Sequence, residues 1–477
     1  MILLKIALRN LFEHQTKTLI IGSLITLGIT FLVVANSLMA SITNGMESSF
    51  TENFTGDLIV RAATEEDVTF IGGLGADPQI LPNYPDIEAV LDADDAVSAY
   101  TPLLRGVGTL TQNEESLGFT LLWGIEPSSY FELFPDSFVL TSGERLKGGE
   151  PGIMLTQETV DTVLSEEGVR LNIGDKVALL GQNDVTGTKI REVTVRGIGY
   201  FENGVGVLDS ISLVDVGTLR SLLGLTQVRV SAATSNAPVS VNEDDLFGGE
   251  AELFEDESSQ ESSRFDFDGI LGDTSVREQY LATDNNAWHF VLVDVADGAP
   301  LGEVSESLST SSVGAALTSE NWRWGAGFVA EIAFGIGTAL NGIILVVAIV
   351  AVLIIMNTIL ISVTERMSEI GTIRAIGGQK RFVRGMITAE VLMTTLVFGL
   401  IGIVLGSGIV TALGATGITA SNLFLQILFG GASLNPTLSI SSLYVSLLVV
   451  AVIGVVASLY PVSVALGIAP VQAMGKR

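Results

Sequence analysis

The sequence of 477 residues contains no cysteine and only two histidines, His14 and His289. The lack of cysteine excludes disulfides, thiol nucleophiles and zinc sites with thiolate ligands. The two histidines lie far apart and outside any HExxH pattern, so neither a histidine zinc site nor a Ser-His-Asp triad is expected. Charged residues make up only 16% of the chain, and 24 basic residues face 53 acidic ones. The net charge of −29 opposes nucleic-acid binding, which needs a basic surface.

Long apolar runs are abundant instead, and the mean hydropathy is +0.51. A membrane-spanning helix needs about 20 apolar residues, because roughly 30 Å of hydrocarbon is crossed at about 1.5 Å per residue. Four stretches meet this requirement, and they predict membrane helices at 18–42, 331–363, 391–413 and 441–468. The apolar piece Leu423–Phe429, in the outer loop 414–440, is too short to span, so this piece is expected to form an interfacial turn or a short hairpin.

The first apolar stretch has a second interpretation, as a cleaved signal peptide. Its Ala35-Asn36-Ser37 triplet has the small-x-small pattern of a cleavage site. The apolar run is longer than a usual signal peptide and continues beyond that triplet, so an uncleaved anchor is favoured.

The distribution of charge predicts the orientation in the membrane. Residues 1–17, 364–390 and 469–477 carry ten basic and four acidic residues. Residues 44–331 carry the other 14 basic and 49 acidic residues. Because lysine and arginine favour the cytoplasmic side, both termini and the 364–390 loop are predicted to be cytoplasmic and the long segment to be exported.

The exported segment, 43–330, has a mixed α and β pattern. Strands are predicted at 57–62, 118–124, 191–201 and 289–295, and a strand, turn and second strand within 171–180. Helices are predicted at Pro85–Leu91, Gln157–Glu166 and Val214–Leu223. We expect two β/α modules separated by an interruption.

The interruption at 242–268 holds eleven acidic residues against a single base, Arg264. Its composition predicts a solvated loop. Two alternatives remain open, a docking loop for a basic partner and a calcium site around Asp266–Gly269 and Asp273. The calcium pattern lacks the full loop spacing and the closing glutamate, and no metal site is predicted.

The stretch between the second and third apolar runs carries the most specific pattern. A charged short helix is expected before Gly377-Gly378, followed by a basic helix. Met367, Ile370, Ile373 and Ile376 recur at roughly helical spacing and would form an apolar face suited to a groove on a partner protein. An amphipathic connector lying on the membrane, with its basic residues at the headgroups, fits the spacing equally well.

Together these residues resemble a known family. The run ERMSEIGTIRAIGG at 365–378, followed by a span with a GxxxG pattern, is similar to the FtsX-like permeases of MacB-type ABC transporters, and the LolC/LolE lipoprotein-releasing permeases are the nearest subtype. The opening at 5–29, the closing YPVSVALGIAPVQAM at 460–474, and parts of the exported segment are also similar to that family. The resemblance implies a multi-pass α-helical membrane protein with four transmembrane helices and a large α+β extracytoplasmic domain between helices 1 and 2.

The resemblance also implies roles for individual residues. It places ATPase coupling in the 364–390 loop, on Glu365, Arg366, Met367, Glu369, Ile370, Gly371, Arg374, Ile376, Gly377 and Gly378. Gly402 and Gly406 would serve helix packing, within the chain or at a dimer face. The second helix would extend out of the membrane as a stalk, and residues 1–17 would form an interfacial helix on the cytoplasmic side.

The expected partners are a cytoplasmic ABC ATPase dimer, a second permease subunit, membrane lipid and an envelope substrate or periplasmic partner. No GxxxxGK[ST] motif occurs in the chain, so ATP is expected to bind a separate subunit, and no cofactor or catalytic residue is assigned here. The leading hypothesis is a permease of the bacterial inner membrane that extrudes or releases a lipoprotein, peptide or amphiphile. The alternative is a signal-transducing permease that controls a cell-wall hydrolase or sensor kinase without transport. A membrane-anchored enzyme is a third and weaker hypothesis.

Overall fold

The computed structural model describes residues 15–71, 76–113, 115–183, 187–201, 210–228, 281–283, 286–296, 298–421, 425–426, 429 and 433–467. The predicted interfacial helix up to residue 14, the acidic stretch 242–268 with the calcium candidate, and the tail 469–477 lie outside these ranges. The chain divides into two compact units, one with the long helices and one with the mixed sheet between residues 56 and 320.

Four helices are long and apolar enough to cross a membrane. In chain order, the first to fourth membrane helices are Gln15–Phe50, Phe328–Glu365, Lys380–Thr416 and Ile440–Gly467. The prediction of four membrane helices is confirmed. The first helix continues into a π-helical turn, Thr51–Thr55. The 38 residues of the second helix span about 57 Å, nearly twice the thickness of a hydrocarbon core.

The extracytoplasmic domain between the first two membrane helices contains twelve strands within the described ranges. They are β1 Leu58–Ala62, β2 Val97–Gln112, β3 Glu115–Ile125, β4 Phe138–Gly143, β5 Gly152–Thr156, β6 Lys176–Asn183, β7 Gly187–Phe201, β8 Ile211–Asp215, β9 Thr226–Val228, β10 Leu281–Thr283, β11 Phe290–Val295 and β12 Leu317–Asn321. Ten of them form one sheet in the order β12-β1-β11-β2-β3-β8-β5-β7-β4, with β6 pairing to both β2 and β7. Strands β9 and β10 pair separately.

The expectation of two separate β/α modules is wrong. Strand β11, which follows the acidic stretch in the chain, pairs antiparallel with both β1 and β2, which precede it. Its residues Phe290–Val293 are all buried, so β11 is an internal strand that joins the two halves of the domain into one sheet. Long-range strand order of this kind leaves no local signal in the sequence.

Five helices accompany this sheet, and two of them begin at a capping side chain. They are Tyr84–Asp92, Pro127–Leu133, Gln157–Glu166, Val216–Leu222 and Leu301–Thr310. The helix at 157–166 matches the prediction residue for residue, because Thr156 caps it by accepting a hydrogen bond from the Thr159 amide. The helix predicted from Val214 begins at Val216 instead, because Asp215 ends β8 and caps the helix through the Thr218 amide.

The strand predicted over the first part of 171–180 is also absent. Asp175 Oδ2 accepts a hydrogen bond from the Asn172 amide at 2.8 Å, and Gly174 has a φ of +88°. This tight turn ends at β6, so only the second predicted strand forms.

Within the membrane unit, a buried aliphatic cluster joins all four long helices. It includes Ile25 and Ile29 of the first helix, Ile355 of the second, Val391 of the third and Val450 of the fourth. The outer loop between the third and fourth helices contains two short paired strands, β13 Ile418–Thr419 and β14 Ser433–Leu434. Most of Leu423–Phe429, which is expected to form an interfacial turn or a short hairpin, lies outside the described residues.

Candidate functional site

The candidate site is the connection between the second and third membrane helices. The second helix ends at Glu365, and a nine-residue helix, Met367–Ala375, begins after a single intervening residue. We call this short helix the knob helix. Arg366 forms the break, with φ −99° and ψ 20°, outside the α-helical range. The knob helix is therefore attached to the longest membrane helix by a one-residue joint.

Two ion pairs hold this joint. The Nη1 atom of Arg366 lies 3.2 Å from Oε2 of Glu390 in the third membrane helix, and its Nε atom lies 3.4 Å from Oε2 of Glu369. The side chains of Arg366 and Glu390 are 20% and 18% exposed, so water screens this pair only partly. The joint is thus connected electrostatically to a third element, the third membrane helix.

The knob helix buries two of its predicted contact residues, Ile370 and Gly371. Ile370 is 5% exposed and belongs to the same buried cluster as Val363, Val383 and Ile387. Ile370 therefore packs against the protein's own membrane helices, and the expectation that it faces a partner is wrong. Gly371 is buried as well, while Met367 and Ile373 are half-buried. The face at helical spacing serves mainly to seat the knob helix on the membrane helices.

The end of the knob helix explains the two consecutive glycines. The amide of Gly378 donates to the Ile373 carbonyl at 2.9 Å, and that of Gly377 donates to the Arg374 carbonyl at 3.2 Å. This is the Schellman pattern, with Gly377 in the left-handed region at φ +101°. A Cβ atom on Gly378 would lie 2.6 Å from the Ile373 carbonyl oxygen. Both positions therefore require glycine.

The termination leaves Ile376 at the tip, where it is 81% exposed. Three basic residues that follow it, Lys380, Arg381 and Arg384, are also exposed, and Phe382 is 37% exposed. We call these five residues the basic tip. The tip thus combines exposed apolar and basic side chains, whereas Glu365 and Glu369 are exposed nearer the joint.

Arg374 links the knob helix to the fourth membrane helix. Its Nη1 atom donates a hydrogen bond to the Leu466 carbonyl at 3.4 Å. Leu466 lies in the last turn of that helix, where carbonyl groups lack intrahelical partners and a positive charge is favourable. The joint and the knob helix therefore contact the neighbouring membrane helices through Arg366, Ile370 and Arg374.

The two glycines assigned to helix packing lie against the first membrane helix. A Cβ atom on Gly402 would lie 2.8 Å from the Thr26 carbonyl oxygen, and one on Gly406 would lie 2.8 Å from Val33 Cβ. Both glycines are buried within the chain, so the alternative of a dimer face formed by them is wrong. Thr26 and Thr30 donate hydrogen bonds to the Phe398 and Gly402 carbonyls, at 3.0 and 3.2 Å.

Glu390 is a site residue that was not among those predicted from the sequence. Its signal was its position, as the last charged residue before an apolar stretch that extends to Lys476. An unpaired carboxylate at the start of a membrane span is unfavourable in free energy. A glutamate at this position is therefore expected to pair with a basic side chain. The hydrogen-bonding roles of Thr26 and Thr30 had no such signal.

The extracytoplasmic domain carries a separate acidic cleft of about 730 Å³. Its lining includes six carboxylates, Glu88, Asp92, Asp94, Asp95, Glu126 and Glu132. The Tyr100 hydroxyl donates to Asp92 Oδ1 at 2.6 Å, and burial, together with this hydrogen bond, raises the pKa of Tyr100. Within the described ranges, no group of histidine and carboxylate side chains is arranged to hold a metal ion.

Comparison with known proteins matches both parts of this architecture. Residues 23–244 match the family described as MacB-like periplasmic core domain, and residues 341–470 match the family described as FtsX-like permease C-terminal. The chain is 33% identical over 120 residues to the macrolide export ATP-binding/permease protein MacB of Bdellovibrio bacteriovorus. That match covers 25% of this chain and 16% of the relative, so the chain spans about a sixth of the relative's length.

Solved structures of outer domains show similarity at low identity. The periplasmic region of MacB from Actinobacillus actinomycetemcomitans is 11% identical, with a TM-score of 0.31, over 58% of this chain and 94% of that one. The extracellular domain of the noncanonic ABC-type transporter YknZ from Gram-positive bacteria is 13% identical, with a TM-score of 0.30, over 56% and 98%.

The two family matches follow each other in the order seen in the structure. The first covers most of the first membrane helix and a large part of the mixed sheet, and the second covers most of the remaining three membrane helices and the knob helix. The chain therefore belongs to the FtsX-like, MacB-type family of ABC transporter permeases.

Proposed function

We propose that this chain is a permease subunit that transmits motion from a separate cytoplasmic ATPase dimer to its extracytoplasmic domain. In this proposal a second permease subunit, identical or homologous, completes the complex in the bacterial inner membrane, with both termini in the cytoplasm. The motion extrudes or releases an envelope substrate, which is a lipoprotein, peptide or amphiphile. Within the family, the proposal favours the LolC/LolE lipoprotein-releasing permeases as the subtype.

The observation that carries the proposal is the continuity of the second membrane helix. It is unbroken for 38 residues and meets the knob helix at the single residue Arg366. A rigid helix of about 57 Å can carry a displacement from one side of a membrane to the other. Because Glu390, Ile370 and Arg374 also tie the knob helix to its neighbours, a force on the knob would move several membrane helices together.

The basic tip is the part of this connection that is available to a partner. Ile376 is 81% exposed, and an exposed isoleucine on a segment that also carries three basic residues is suited to anchor an interface. The proposal therefore shifts the docking contact from Ile370, as the sequence suggested, to Ile376. Membrane lipid is a further partner of the tip, since Lys380, Arg381 and Arg384 lie close to the headgroup level in this topology.

The test is co-purification of the ATPase with Ile376→Asp in the full chain. A carboxylate placed in an apolar groove loses more than about 1.4 kcal/mol, so the recovered ATPase should fall about tenfold or more. Phe119→Asp is the matched control, because Phe119 is 83% exposed on β3 of the extracytoplasmic domain. Equal ATPase recovery with both variants would refute docking through the tip. Ile370→Asp is unsuitable, since it would place a charge in the buried cluster and disturb folding.

A further inference from the structure

The acidic cleft of the extracytoplasmic domain gathers negative charge from three segments of chain. Its six carboxylates are Glu88 and Asp92 of the helix Tyr84–Asp92, Asp94 and Asp95 of the connection that follows it, and Glu126 and Glu132 of the segment that forms the helix Pro127–Leu133. In the described part of the chain, no lysine or arginine lines this space. Because like charges around one cavity disfavour each other, the cleft favours a bound cation.

The carboxylates of the cleft differ in how far the domain itself satisfies them. Asp92 and Asp94 each accept a hydrogen bond at 2.6 Å from a neighbouring hydroxyl group. In contrast, Glu88, Asp95 and Glu132 form no hydrogen bond or ion pair within the described ranges. Three negative charges of the cleft are therefore left for a ligand.

A buried hydroxyl group is a second and independent sign of a ligand. Tyr84 lines the cleft and is only 8% exposed, yet its hydroxyl has no hydrogen-bond partner among the described residues. Burial and the negative charges of Glu88, Asp92 and Glu126 raise the pKa of Tyr84, so carboxylates from both helices lie near its hydroxyl. Buried polar groups are normally hydrogen-bonded. An ammonium group held beside these carboxylates would donate to the Tyr84 oxygen and satisfy it.

The nearby charge of Arg220 does not fill the cleft. Its Cζ atom lies 4.3 Å from the centroid of the Trp288 ring, which lines the cleft, and its Nε atom donates a hydrogen bond to the Ala287 carbonyl at 3.3 Å. Arg220 is 4% exposed and is not itself a lining residue. This guanidinium is therefore engaged outside the cleft, and the lining carboxylates remain for another cation.

The spread of the carboxylates distinguishes between kinds of cation. A divalent metal ion needs several oxygen ligands around one point. Within the described ranges, no group of three or more carboxylate and histidine side chains meets this condition. The cleft also presents apolar surface, from Leu91, Pro102 and Trp288. Separated negative charges together with apolar surface suit a ligand whose ammonium groups are joined by methylene segments.

We propose that this cleft binds a linear polyamine, with its ammonium groups at Glu88, Asp95 and Glu132 and one of them donating to the Tyr84 hydroxyl. The methylene segments would lie against the apolar lining. A cation with a single charge would leave most of the carboxylates unpaired. The inference does not depend on the proposed coupling, because all of these residues belong to the extracytoplasmic domain.

Equilibrium dialysis of the full chain in an uncharged detergent, with radiolabelled spermidine as the probe, tests the proposal. Salt at about 0.15 M screens weak attraction to exposed carboxylates, since the Debye length is then about 8 Å. The test variant combines Glu88→Gln with Asp95→Asn. The matched control combines Glu166→Gln with Glu167→Gln, which removes two exposed carboxylates outside the cleft and changes the net charge equally.

We expect the cleft variant to bind spermidine about tenfold more weakly than the parent chain, and the control variant to stay within about twofold of it. Tyr84→Phe keeps the ring and removes the hydroxyl, and it should weaken binding about fivefold. This variant leaves the charge of the cleft unchanged, so it gives a second result if the charge variant proves less stable. Equal affinities for the cleft and control variants, or no saturable binding to the parent chain, would overturn the proposal.

Competition with unlabelled compounds tests the class of ligand. Butylamine and Mg²⁺ should each displace labelled spermidine at least about tenfold less effectively than unlabelled spermidine does. Equal displacement by Mg²⁺ would mean that the cleft binds charge alone, and stronger displacement by trilysine would assign it to a basic peptide. Either result would overturn the proposal. The assay uses neither ATP nor the ATPase, so its failure would leave the proposed coupling intact, and loss of coupling at Ile376 would leave spermidine binding unaffected.

Discussion

Arg366 and Glu390 are 24 positions apart in the chain, and their side chains meet at 3.2 Å between Nη1 and Oε2. Arg366 is the joint between the second membrane helix and the knob helix, while Glu390 belongs to the third membrane helix. Because the joint has only one residue, this ion pair limits the angle that the knob helix can adopt. The pair therefore ties the orientation of the knob helix to the third membrane helix, and the proposed coupling would depend on it.

The first prediction concerns this pair. Glu390→Gln keeps the size of the side chain but removes the charge that pairs with Arg366. A hydrogen bond to a charged and partly buried group contributes about 1.5–3 kcal/mol. A double-mutant cycle with Arg366→Gln, measured by thermal unfolding of the full chain in detergent, should give a coupling energy in this range. Strictly additive effects would contradict the assigned contact.

The second prediction concerns the end of the knob helix. Gly377→Ala forces a Cβ atom onto a residue with φ +101°, and Gly378→Ala places one 2.6 Å from a carbonyl oxygen. Each substitution should destabilise the end of the knob helix by about 1–3 kcal/mol and so make the basic tip more mobile. Trypsin should then cleave faster after Arg374, Lys380 and Arg381. Gly342→Ala, where no heavy atom lies within 4 Å of the added Cβ, is the control and should be cleaved at the rate of the parent chain.

Sequence patterns predicted the elements whose signals are local. Apolar runs located all four membrane helices, and the helix-like run Gln157–Glu166 predicted the bounds of that helix, whose first residue follows the capping Thr156. The Gly-Gly break was also readable, since Gly377 requires a left-handed conformation. In each case a few neighbouring residues determine the geometry, and no distant contact is needed.

The features that sequence reasoning missed depend on contacts between distant residues. Ile370 has the same spacing signal whether its face meets a partner or the protein's own membrane helices, and only packing against Val383 and Ile387 decides between the two. The position of β11 between β1 and β2 likewise depends on pairing across more than 180 residues of chain. Glu390 was visible as an isolated charge, but its partner was not.

The third prediction concerns pH and the extracytoplasmic domain. His289 is buried, its Nδ1 atom accepts a hydrogen bond from the Arg105 amide at 3.1 Å, and burial together with the Arg105 charge lowers the pKa of His289 to about 3. In the unfolded chain a histidine titrates near pH 6.5. Above pH 6.5 the histidine is neutral in both states, and the free energy of unfolding has its full value with respect to this group. Between pH 6.5 and about 3 only the unfolded chain binds the proton, so the free energy of unfolding falls as the pH drops.

Below pH 6.5 the free energy of unfolding should fall by about 1.4 kcal/mol per pH unit, since one proton is bound on unfolding. Thermal unfolding of the full chain followed by tryptophan fluorescence between pH 7 and 5 measures it, because the buried Trp288 is adjacent. His289→Asn can accept the same amide hydrogen bond and cannot titrate. It should be less stable at pH 7 but should show a flatter pH dependence over this range. Parallel pH profiles for the two chains would show that His289 is not the responsible group.

The fourth prediction compares two glycines of the third membrane helix that are two residues apart. Gly406 lies against the first helix, where an added Cβ would be 2.8 Å from Val33 Cβ and 3.2 Å from the Thr30 carbonyl oxygen. Gly408 has no heavy atom within 4 Å of the position of an added Cβ. Gly406→Ala should therefore separate the first and third helices and cost about 1–3 kcal/mol, as overpacking of a close contact does.

The separation would also lengthen the neighbouring hydrogen bond from Thr30 Oγ1 to the Gly402 carbonyl, now 3.2 Å, and so weaken a second link between the same helices. Gly408→Ala should be neutral or slightly stabilising, because alanine favours a helix over glycine by about 0.5–1 kcal/mol. Thermal unfolding midpoints of the two variants in the same detergent give the comparison. If Gly406→Ala matched Gly408→Ala, the first and third helices would not be in close contact at Val33. The conformational coupling proposed for the membrane bundle would then need a different route.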